Sequence, residues 1–252
     1  MTATDGATPE PSSWQRPTKR ELFLLAMKER QDPEPYYSTL AAVTVADLPV
    51  PVDGLRILDL GSGPGHDSMA LEAAGATVVS VDLDPAALGL AHDRGAKAVR
   101  GDAYHLPFPD ASFDGVYCSN IVEHVPAAGP LLDEIARVLE PRGWAWISWT
   151  NWYSPWGGHH IIPFHLLGPT LGPRVYDRLF GPPPKNVVGE GLFPTYIGET
   201  LQLAREHTAL DLIDAMPRYY PSQRWILKVP GLREVATWNC LLVLERRSSV
   251  GV

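Results

Sequence analysis

The chain has 252 residues, of which 45% are hydrophobic and 20% charged, and its formal net charge is −8 at pH 7. This length suits one large domain or two small ones. The acidic balance provides no electrostatic footprint for a phosphate backbone, so the composition argues against a nucleic-acid-binding protein. Only two cysteines are present, Cys118 and Cys240, too few for a disulfide framework, and a reducing, cytoplasmic setting is expected.

The first 17 residues are rich in Thr, Pro and Ser, a composition that buries too little apolar surface to offset the entropy of ordering. We therefore expect a mobile tail over 1–17 and a single folded domain over 18–252. The first apolar cluster, 22–27, is cut short by Lys28, which predicts neither a signal peptide nor a membrane span.

Short apolar runs then alternate with stretches of helical composition, a rhythm typical of a parallel sheet with crossover helices. In the N-terminal stretch, 18–50, helices are predicted over 18–30 and 38–46, with the Tyr36-Tyr37 pair between them after a proline break. Strands are predicted over 55–60, 77–81, 96–100, 113–118 and 143–149. Helices are predicted between them over 66–74, 85–93 and 131–139.

The character of the chain changes over 151–198, where 48 positions hold eight Pro, eight Gly and eight aromatic residues. This composition predicts a loop-rich insertion after the fifth strand, which we expect to act as a lid and to bind substrate. Regular alternation resumes with a helix over 198–207, a strand over 210–216 and a β-rich run over 236–244.

The strongest local motif is the run 59–65, Asp-Leu-Gly-Ser-Gly-Pro-Gly, in which an apolar strand leads directly into a three-glycine turn before a helix. Such a turn lets the backbone approach a ligand closely and presents helix N–H groups to it. Asp82 ends the next predicted strand, 21 residues after Gly61, where a carboxylate can accept both ribose hydroxyls of a nucleoside. The third glycine comes one residue too early for the dinucleotide fingerprint. A third element, Gly-Asp-Ala at 101–103, ends the third strand.

Over about 55–150 these motifs resemble, in order and spacing, the class I S-adenosylmethionine-dependent methyltransferases. The resemblance implies an α/β, Rossmann-like fold with a mostly parallel seven-stranded sheet flanked by helices, and S-adenosylmethionine as the cofactor. It also implies a role for each matched residue. The turn of Gly61, Ser62, Gly63 and Gly65 would hold the methionine moiety, with Asp59 near its amino group. Asp82 would bind the ribose, Leu83, Asp102 and Ala103 would contact the adenine, and Asn120 would line the floor of the site.

Methyl transfer from a sulfonium to a hydroxyl needs an aligned nucleophile and a group that takes up its proton. Candidates are Glu123 and His124, which follow the fourth strand. Some related enzymes hold a metal ion with a Glu-x-x-Glu-His arrangement, but here Asn120 occupies the first position. A Mg²⁺ ion bound by Glu123 and His124 is therefore an open alternative to a structural role.

Three further histidines, His159, His160 and His165, fall within seven positions of the insertion, next to two glycines. Their spacing fits no standard zinc helix, because two are adjacent and a proline precedes the third. Imidazoles titrate near neutrality and suit general-base catalysis, although each could equally tie down the loop by hydrogen bonds. His159 is the preferred candidate.

The aromatic residues of the insertion are interleaved with few charges, which suits a sugar ring or an ordinary hydrophobic subcore. The candidate substrate-binding residues are Tyr36, Tyr37, Trp152, Tyr153, Trp156 and Phe164. Over 151–168 and 184–186 the sequence is also similar to actinobacterial methyltransferases of polysaccharide and glycolipid assembly. That resemblance implies a sugar hydroxyl, on a methylated mannoside for example, as the acceptor.

Other readings remain open at this point. The same aromatic insertion would accept a lipid or polyphenol hydroxyl. A nicotinamide-dependent reductase would share the sheet, and a module that binds the cofactor without turnover would share the turn. The aromatic insertion could also be shared across a homodimer interface. The expected partner is a small-molecule or oligosaccharide substrate.

Overall fold

The computed structural model describes residues 16–28 and 31–248, so all but the last two residues of the expected tail, 1–17, lie outside the described residues. The chain runs through two N-terminal helices, α1 (Lys19–Lys28) and α2 (Glu34–Ala46), before the sheet begins. The chain then forms, in order, β1 (Arg56–Leu60), α3 (His66–Ala73), β2 (Thr77–Asp82), α4 (Pro85–Asp93), β3 (Ala98–Arg100) and β4 (Phe113–Ser119). The elements that follow β4 are α5 (Ala128–Val138), β5 (Leu139–Thr150), α6 (Leu171–Phe180), α7 (Ile197–Glu206), β6 (Leu210–Pro217), α8 (Leu232–Ala236) and β7 (Asn239–Arg246).

The seven strands form one sheet in the order β3-β2-β1-β4-β5-β7-β6. Strands β1 to β5 pair in parallel, whereas β7 runs antiparallel to both β5 and β6. The predicted α/β fold with a mostly parallel seven-stranded sheet is therefore confirmed. Because β6 is antiparallel to β7, its carboxyl end lies at the same edge of the sheet as those of β1 to β5.

The alternation of side chains along β5 shows how the sheet buries both faces. Trp144 and Trp146 belong to the core under α2 and α3, while Ala145, Ile147 and Trp149 belong to the core under α5 and α7. Trp146 stacks on Tyr117 of β4, with ring centroids 4.6 Å apart. Helix α5 buries five of its apolar residues against the second face, as its amphipathic pattern requires.

Several element boundaries differ from the sequence-based prediction. Helix α2 begins at Glu34 and not at 38, because Pro35 occupies its first turn, where proline is tolerated, and so starts the helix instead of ending the previous segment. Tyr36 and Tyr37 consequently lie on α2. Strand β5 begins four residues early, at Leu139.

The insertion after β5 is more regular than predicted. It contains α6 and two short 3₁₀ turns, His159–Ile161 and Phe164–Leu167, between its loops. A further 3₁₀ segment, Pro221–Lys228, follows β6. Among the described residues, the helices lack the combination of length and apolarity needed to cross a lipid bilayer.

Candidate functional site

The turn between β1 and α3 has the backbone geometry that its glycines permit. Gly61, Gly63 and Gly65 have φ angles of +74°, +51° and +86°, in the left-handed region. A Cβ on Gly61 would overlap the Ile121 side chain, so this glycine is needed for packing. A Cβ on Gly63 would meet nothing within 4 Å, so the turn leaves open space above this residue. That space is the cradle expected for the methionine part of the cofactor.

Asp82, at the carboxyl end of β2, is held against this turn. Its Oδ2 accepts a hydrogen bond from the Gly63 N–H at 2.9 Å, and its Oδ1 accepts one from the Asp84 N–H at 2.9 Å. Asp82 pairs with Arg100 of the neighbouring strand β3, and Asp102 and Ala103 follow the end of that strand. Leu83, which follows Asp82 directly, is 61% exposed. The structure therefore brings the predicted ribose and adenine contacts to one edge of the sheet.

Asp59 lies beneath the turn. It is 1% exposed, and it accepts a hydrogen bond from Ser68 of α3, which also contacts the Ser80 hydroxyl of β2. Burial, and to a lesser extent the charge of Asp67, raises the pKa of Asp59 to about 8. This geometry makes Asp59 a brace between the turn, α3 and β2. Its predicted approach to the cofactor amino group does not fit this buried position.

A cavity of about 940 Å³ opens from the glycine turn and passes over the carboxyl end of β4. Its floor is formed by the turn and Asn120, and its walls by α1, α2 and the segment after β6. The aromatic and polar residues of its lining are Tyr37, Thr44, Asp47, Ser62, His66, Asp67, Ser119, Asn120, Trp146, Arg218, Tyr219 and Arg224. The buried Ser62 hydroxyl has no hydrogen-bond partner among the described residues, so the turn offers a polar atom to a ligand in addition to open space.

Arg218 is the main charged residue of this cavity that the sequence reasoning missed. Its guanidinium donates hydrogen bonds to the Ser119 and Ser148 hydroxyls at 3.1 and 3.0 Å, and lies 4.8 Å from the centre of the Trp146 ring. It also reaches Thr44 of α2 at 3.4 Å. The available cue was its position, one residue past the carboxyl end of β6, at the edge where the other candidate residues lie.

Beyond Asn120, the 3₁₀ turn Val122–His124 carries the predicted acid and histidine. Glu123 is 1% exposed, and its Oε1 accepts a hydrogen bond from the Thr150 N–H at 2.8 Å. His159 reaches the same point from the insertion, with its ring centroid 5.2 Å from that of His124. One ligand atom from each of the three residues lies within 4.8 Å of the others.

The environment of these groups shifts their pKa values. Burial raises the pKa of Glu123, although the His124 charge opposes this shift. Burial lowers the pKa of His159 to about 4, and the neighbouring histidines add to the effect. At neutral pH His159 is therefore an uncharged imidazole.

The other two predicted histidines are placed differently. His160 points to the exposed side of the insertion. His165 is 1% exposed, its Nε2 lies 3.0 Å from the Ser154 carbonyl oxygen, and burial lowers its pKa. A Cβ on Gly158 would strike its ring, so His165 is packed into the insertion and holds the loop together, and its predicted catalytic role does not fit this position.

Three of the six predicted substrate-binding aromatics pack within the insertion. Trp152 is 1% exposed and lies in a small core with Ile161 and Leu192, against which Tyr153 packs. Phe164 packs against Tyr176 and Phe180. The prediction that Trp152 contacts the substrate does not fit a side chain that is buried to this extent. Trp156 is 55% exposed beside Trp238, and Tyr37 lines the cavity together with His66.

Comparisons with known proteins agree with this arrangement. Residues 58–147 match a family described as "Methyltransferase domain". An uncharacterized methyltransferase of Mycolicibacterium vanbaalenii is 40% identical over 86% of this chain and 89% of that protein. Another, from Mycobacterium marinum, is 40% identical over 90% of this chain and 94% of that protein.

Solved structures show the same fold. An S-adenosylmethionine-dependent methyltransferase from Mesorhizobium loti superposes with a TM-score of 0.57 and 25% identity, over 81% of this chain and 96% of that one. The chain is an S-adenosylmethionine-dependent methyltransferase. A Methanosarcina mazei methyltransferase with a TM-score of 0.55 and 16% identity, over 79% of this chain and 94% of that one, supports the fold alone. The cofactor of this methyltransferase is S-adenosylmethionine, and the open cradle at Gly63 and the unpartnered Ser62 hydroxyl fit it.

Proposed function

We propose that this methyltransferase transfers the methyl group of S-adenosylmethionine to a hydroxyl of a sugar or short oligosaccharide, such as a methylated mannoside. The observation that carries the proposal is the mixed lining of the 940 Å³ cavity next to the glycine turn. Tyr37 and Tyr219 offer aromatic surface, while Asn120 and Arg218 offer hydrogen-bonding groups. A sugar ring presents C–H faces and hydroxyl edges, which suit both kinds of surface.

The cofactor is placed by the residues at the ends of β1, β2 and β3. We assign the turn to the methionine moiety, Asp82 to the ribose hydroxyls, and Leu83, Asp102 and Ala103 to the adenine. When bound there, S-adenosylmethionine supplies an activated methyl group on its sulfonium. The protein then has to hold the acceptor hydroxyl in line with the methyl–sulfur bond, which is chiefly a matter of orientation.

The acceptor hydroxyl must lose its proton during the transfer. We assign its uptake to His159, which lies against His124 beyond Asn120. The His159 imidazole is uncharged and can accept the proton, but the burial that lowers its pKa to about 4 also weakens it as a base. The proton transfer therefore depends on Glu123 beside it, which would stabilise the imidazolium that forms. The insertion supplies His159, so we assign to 151–198 the closing of the acceptor side of the site.

The proposal is tested with the full-length chain, S-adenosylmethionine carrying a labelled methyl group, and a panel of mannosides, phenols and lipid alcohols. We expect label on a saccharide hydroxyl. His159→Ala should lower kcat by about 10² to 10⁴ and leave the Kd for S-adenosylmethionine unchanged, because only the proton acceptor is lost. His92→Ala, on the exposed face of α4, is the matched control.

Transfer to phenols or lipids alone would overturn the sugar assignment. Cofactor binding without transfer to any acceptor of the panel would favour a module that binds the cofactor without turnover. An unchanged kcat in His159→Ala would remove the role of this histidine.

A further inference from the structure

Three side chains that can bind a metal converge where β4 ends against the insertion. Glu123 and His124 come from the turn after β4, and His159 comes from the first 3₁₀ turn of the insertion. Their ligand atoms lie within 4.8 Å of one another. We propose that Glu123, His124 and His159 together form a binding site for one divalent transition-metal ion, with Zn²⁺ the ion that their chemistry fits best.

The cluster contains buried polar atoms that need a partner. Glu123 is 1% exposed and uses Oε1 to accept the Thr150 N–H, while its Oε2 has no partner among the described residues. The buried Nε2 of His159 has none either. Buried polar atoms in folded proteins are almost always paired, so two unpaired atoms in one cluster point to a ligand between them.

The hydrogen bond on the second ring nitrogen of His124 holds that ring as a metal site requires, and the one on His159 fits after rotation of an amide. His124 Nδ1 lies 2.7 Å from the Gly191 carbonyl oxygen, to which it donates its proton, so the lone pair is on Nε2. The Asn186 Nδ2 lies 3.2 Å from His159 Nδ1 and donates to it, which leaves the imidazole proton on Nε2. Metal binding at Nε2 therefore requires the Asn186 amide to rotate by half a turn, so that its Oδ1 accepts the proton from Nδ1 and frees the Nε2 lone pair. Metal-bound histidines characteristically have such partners on their second nitrogen.

The donor set indicates which ion would bind. Two imidazoles and one carboxylate are the ligands of many catalytic zinc sites, which keep a fourth position open. Mg²⁺ prefers a shell of oxygen atoms, so the Mg²⁺ suggested by the sequence fits less well. Ligand atoms around a tetrahedral zinc are about 3.3 Å apart, so the side chains would have to close by up to about 1.5 Å on binding.

The alternative without a metal is a direct hydrogen bond between His159 and Glu123 after a small movement of either side chain. That arrangement would satisfy the same two atoms and would leave no site for an ion. Metal binding does not depend on which acceptor is methylated, so it can be tested without an acceptor. A failure here would leave the proposed sugar methylation, with His159 as its base, standing. A bound ion would occupy the His159 Nε2 lone pair, so it would exclude His159 as the proton acceptor and leave the sugar assignment untouched.

The test uses the full-length chain without an affinity tag, first treated with a chelator and then dialysed against Zn²⁺, Co²⁺ or Mg²⁺. We expect about one equivalent of Zn²⁺ or Co²⁺ per chain by elemental analysis, and no retained Mg²⁺. Bound Co²⁺ should show the visible absorption of a four- or five-coordinate ion. Glu123→Gln and His159→Ala should each weaken Zn²⁺ binding at least tenfold, since even outer partners have effects of this size.

His160→Ala is the matched control, because this neighbouring histidine points to the exposed side of the insertion and should leave Zn²⁺ affinity unchanged. If the first two variants do not fold, His159→Cys provides a separate readout, because a bound thiolate adds charge-transfer absorption to the Co²⁺ spectrum. Absence of stoichiometric Zn²⁺ from the folded chain would overturn the inference. So would Zn²⁺ binding that both Glu123→Gln and His159→Ala retain, or an unaltered Co²⁺ spectrum in His159→Cys.

Discussion

At the scale of single residues, the candidate site is built mostly from positions that directly follow parallel strands. Asp82 was predictable because the strand before it, the glycine turn and the 21-residue spacing from Gly61 are all local in the sequence. Arg218 follows β6 in the same way, but its neighbours Ser119 and Ser148 are 99 and 70 residues away. Local patterns contain no information about such partners, so its place in the cavity could only come from the folded chain.

Asp82→Ala is expected to abolish detectable binding of S-adenosylmethionine, because the variant loses the carboxylate assigned to the ribose hydroxyls. It also loses the bond that fixes the Gly63 N–H. Calorimetric titration measures the Kd.

The matched control is Asp84→Ala, whose carboxylate caps α4 through the Ala86 N–H. That variant should lose about 1 kcal/mol of stability and keep its affinity for the cofactor. Equal affinities of the two variants would contradict the assignment of Asp82, and binding of NADH in place of S-adenosylmethionine would contradict the whole cofactor site.

At the scale of elements, the insertion shows where composition is a poor guide. Its many Pro and Gly residues predicted loops, yet α6 and two 3₁₀ turns form, and several of its aromatics make a small core of their own. An aromatic residue in a loop-rich segment can face a ligand or fill such a core, and the sequence pattern is the same for both. The strands and helices of the first half were predicted more closely, since their apolar periodicity is fixed by the faces they bury.

Two tryptophans of the insertion provide a direct test of this core. Trp152→Ala should lower the free energy of unfolding by about 3–5 kcal/mol, the cost of removing a fully buried large side chain. Trp156→Ala should cost about 1 kcal/mol or less, because Trp156 is 55% exposed and contacts mainly the Trp238 ring. Urea unfolding followed by circular dichroism compares the two variants. Equal losses would show that the insertion does not have the separate core described here.

At the scale of the whole molecule, the cavity exists because segments distant in sequence close over the same edge of the sheet. Helix α2 forms one wall and the segment after β6 forms another, and Arg218 joins them through Thr44. Glu34, in the first turn of α2, contacts His66 of α3 and Arg94, which follows α4. The order of the elements was predictable from local patterns. The cavity between them was not, since it depends on contacts between the N-terminal helices, the glycine turn and the segment after β6.

The hydrogen bonds of Glu34 with Arg94 and His66 predict that the contribution of α2 to the free energy of unfolding depends on pH. Hydrogen bonds from Arg94, and secondarily from His66, lower the pKa of Glu34 from its ordinary value near 4.5 to about 2. The folded state therefore binds fewer protons here than the unfolded state, so the stabilisation is complete above about pH 4.5 and is lost as the pH falls toward 2. Because the Glu34 side chain is 52% exposed, we expect this contribution to be less than about 1 kcal/mol.

Glu34→Gln should accordingly be less stable than the natural chain at pH 7, with a difference that narrows between pH 5 and pH 3. The measurement is urea unfolding of both proteins at pH 7, 5, 4 and 3. Glu190→Gln, at an exposed position of the insertion, is the matched control and should show no comparable change. A Glu34→Gln difference that stays constant over this range would mean that the carboxylate is not held by Arg94 and His66. The wall formed by α2 would then depend on apolar packing and on the Arg218–Thr44 contact.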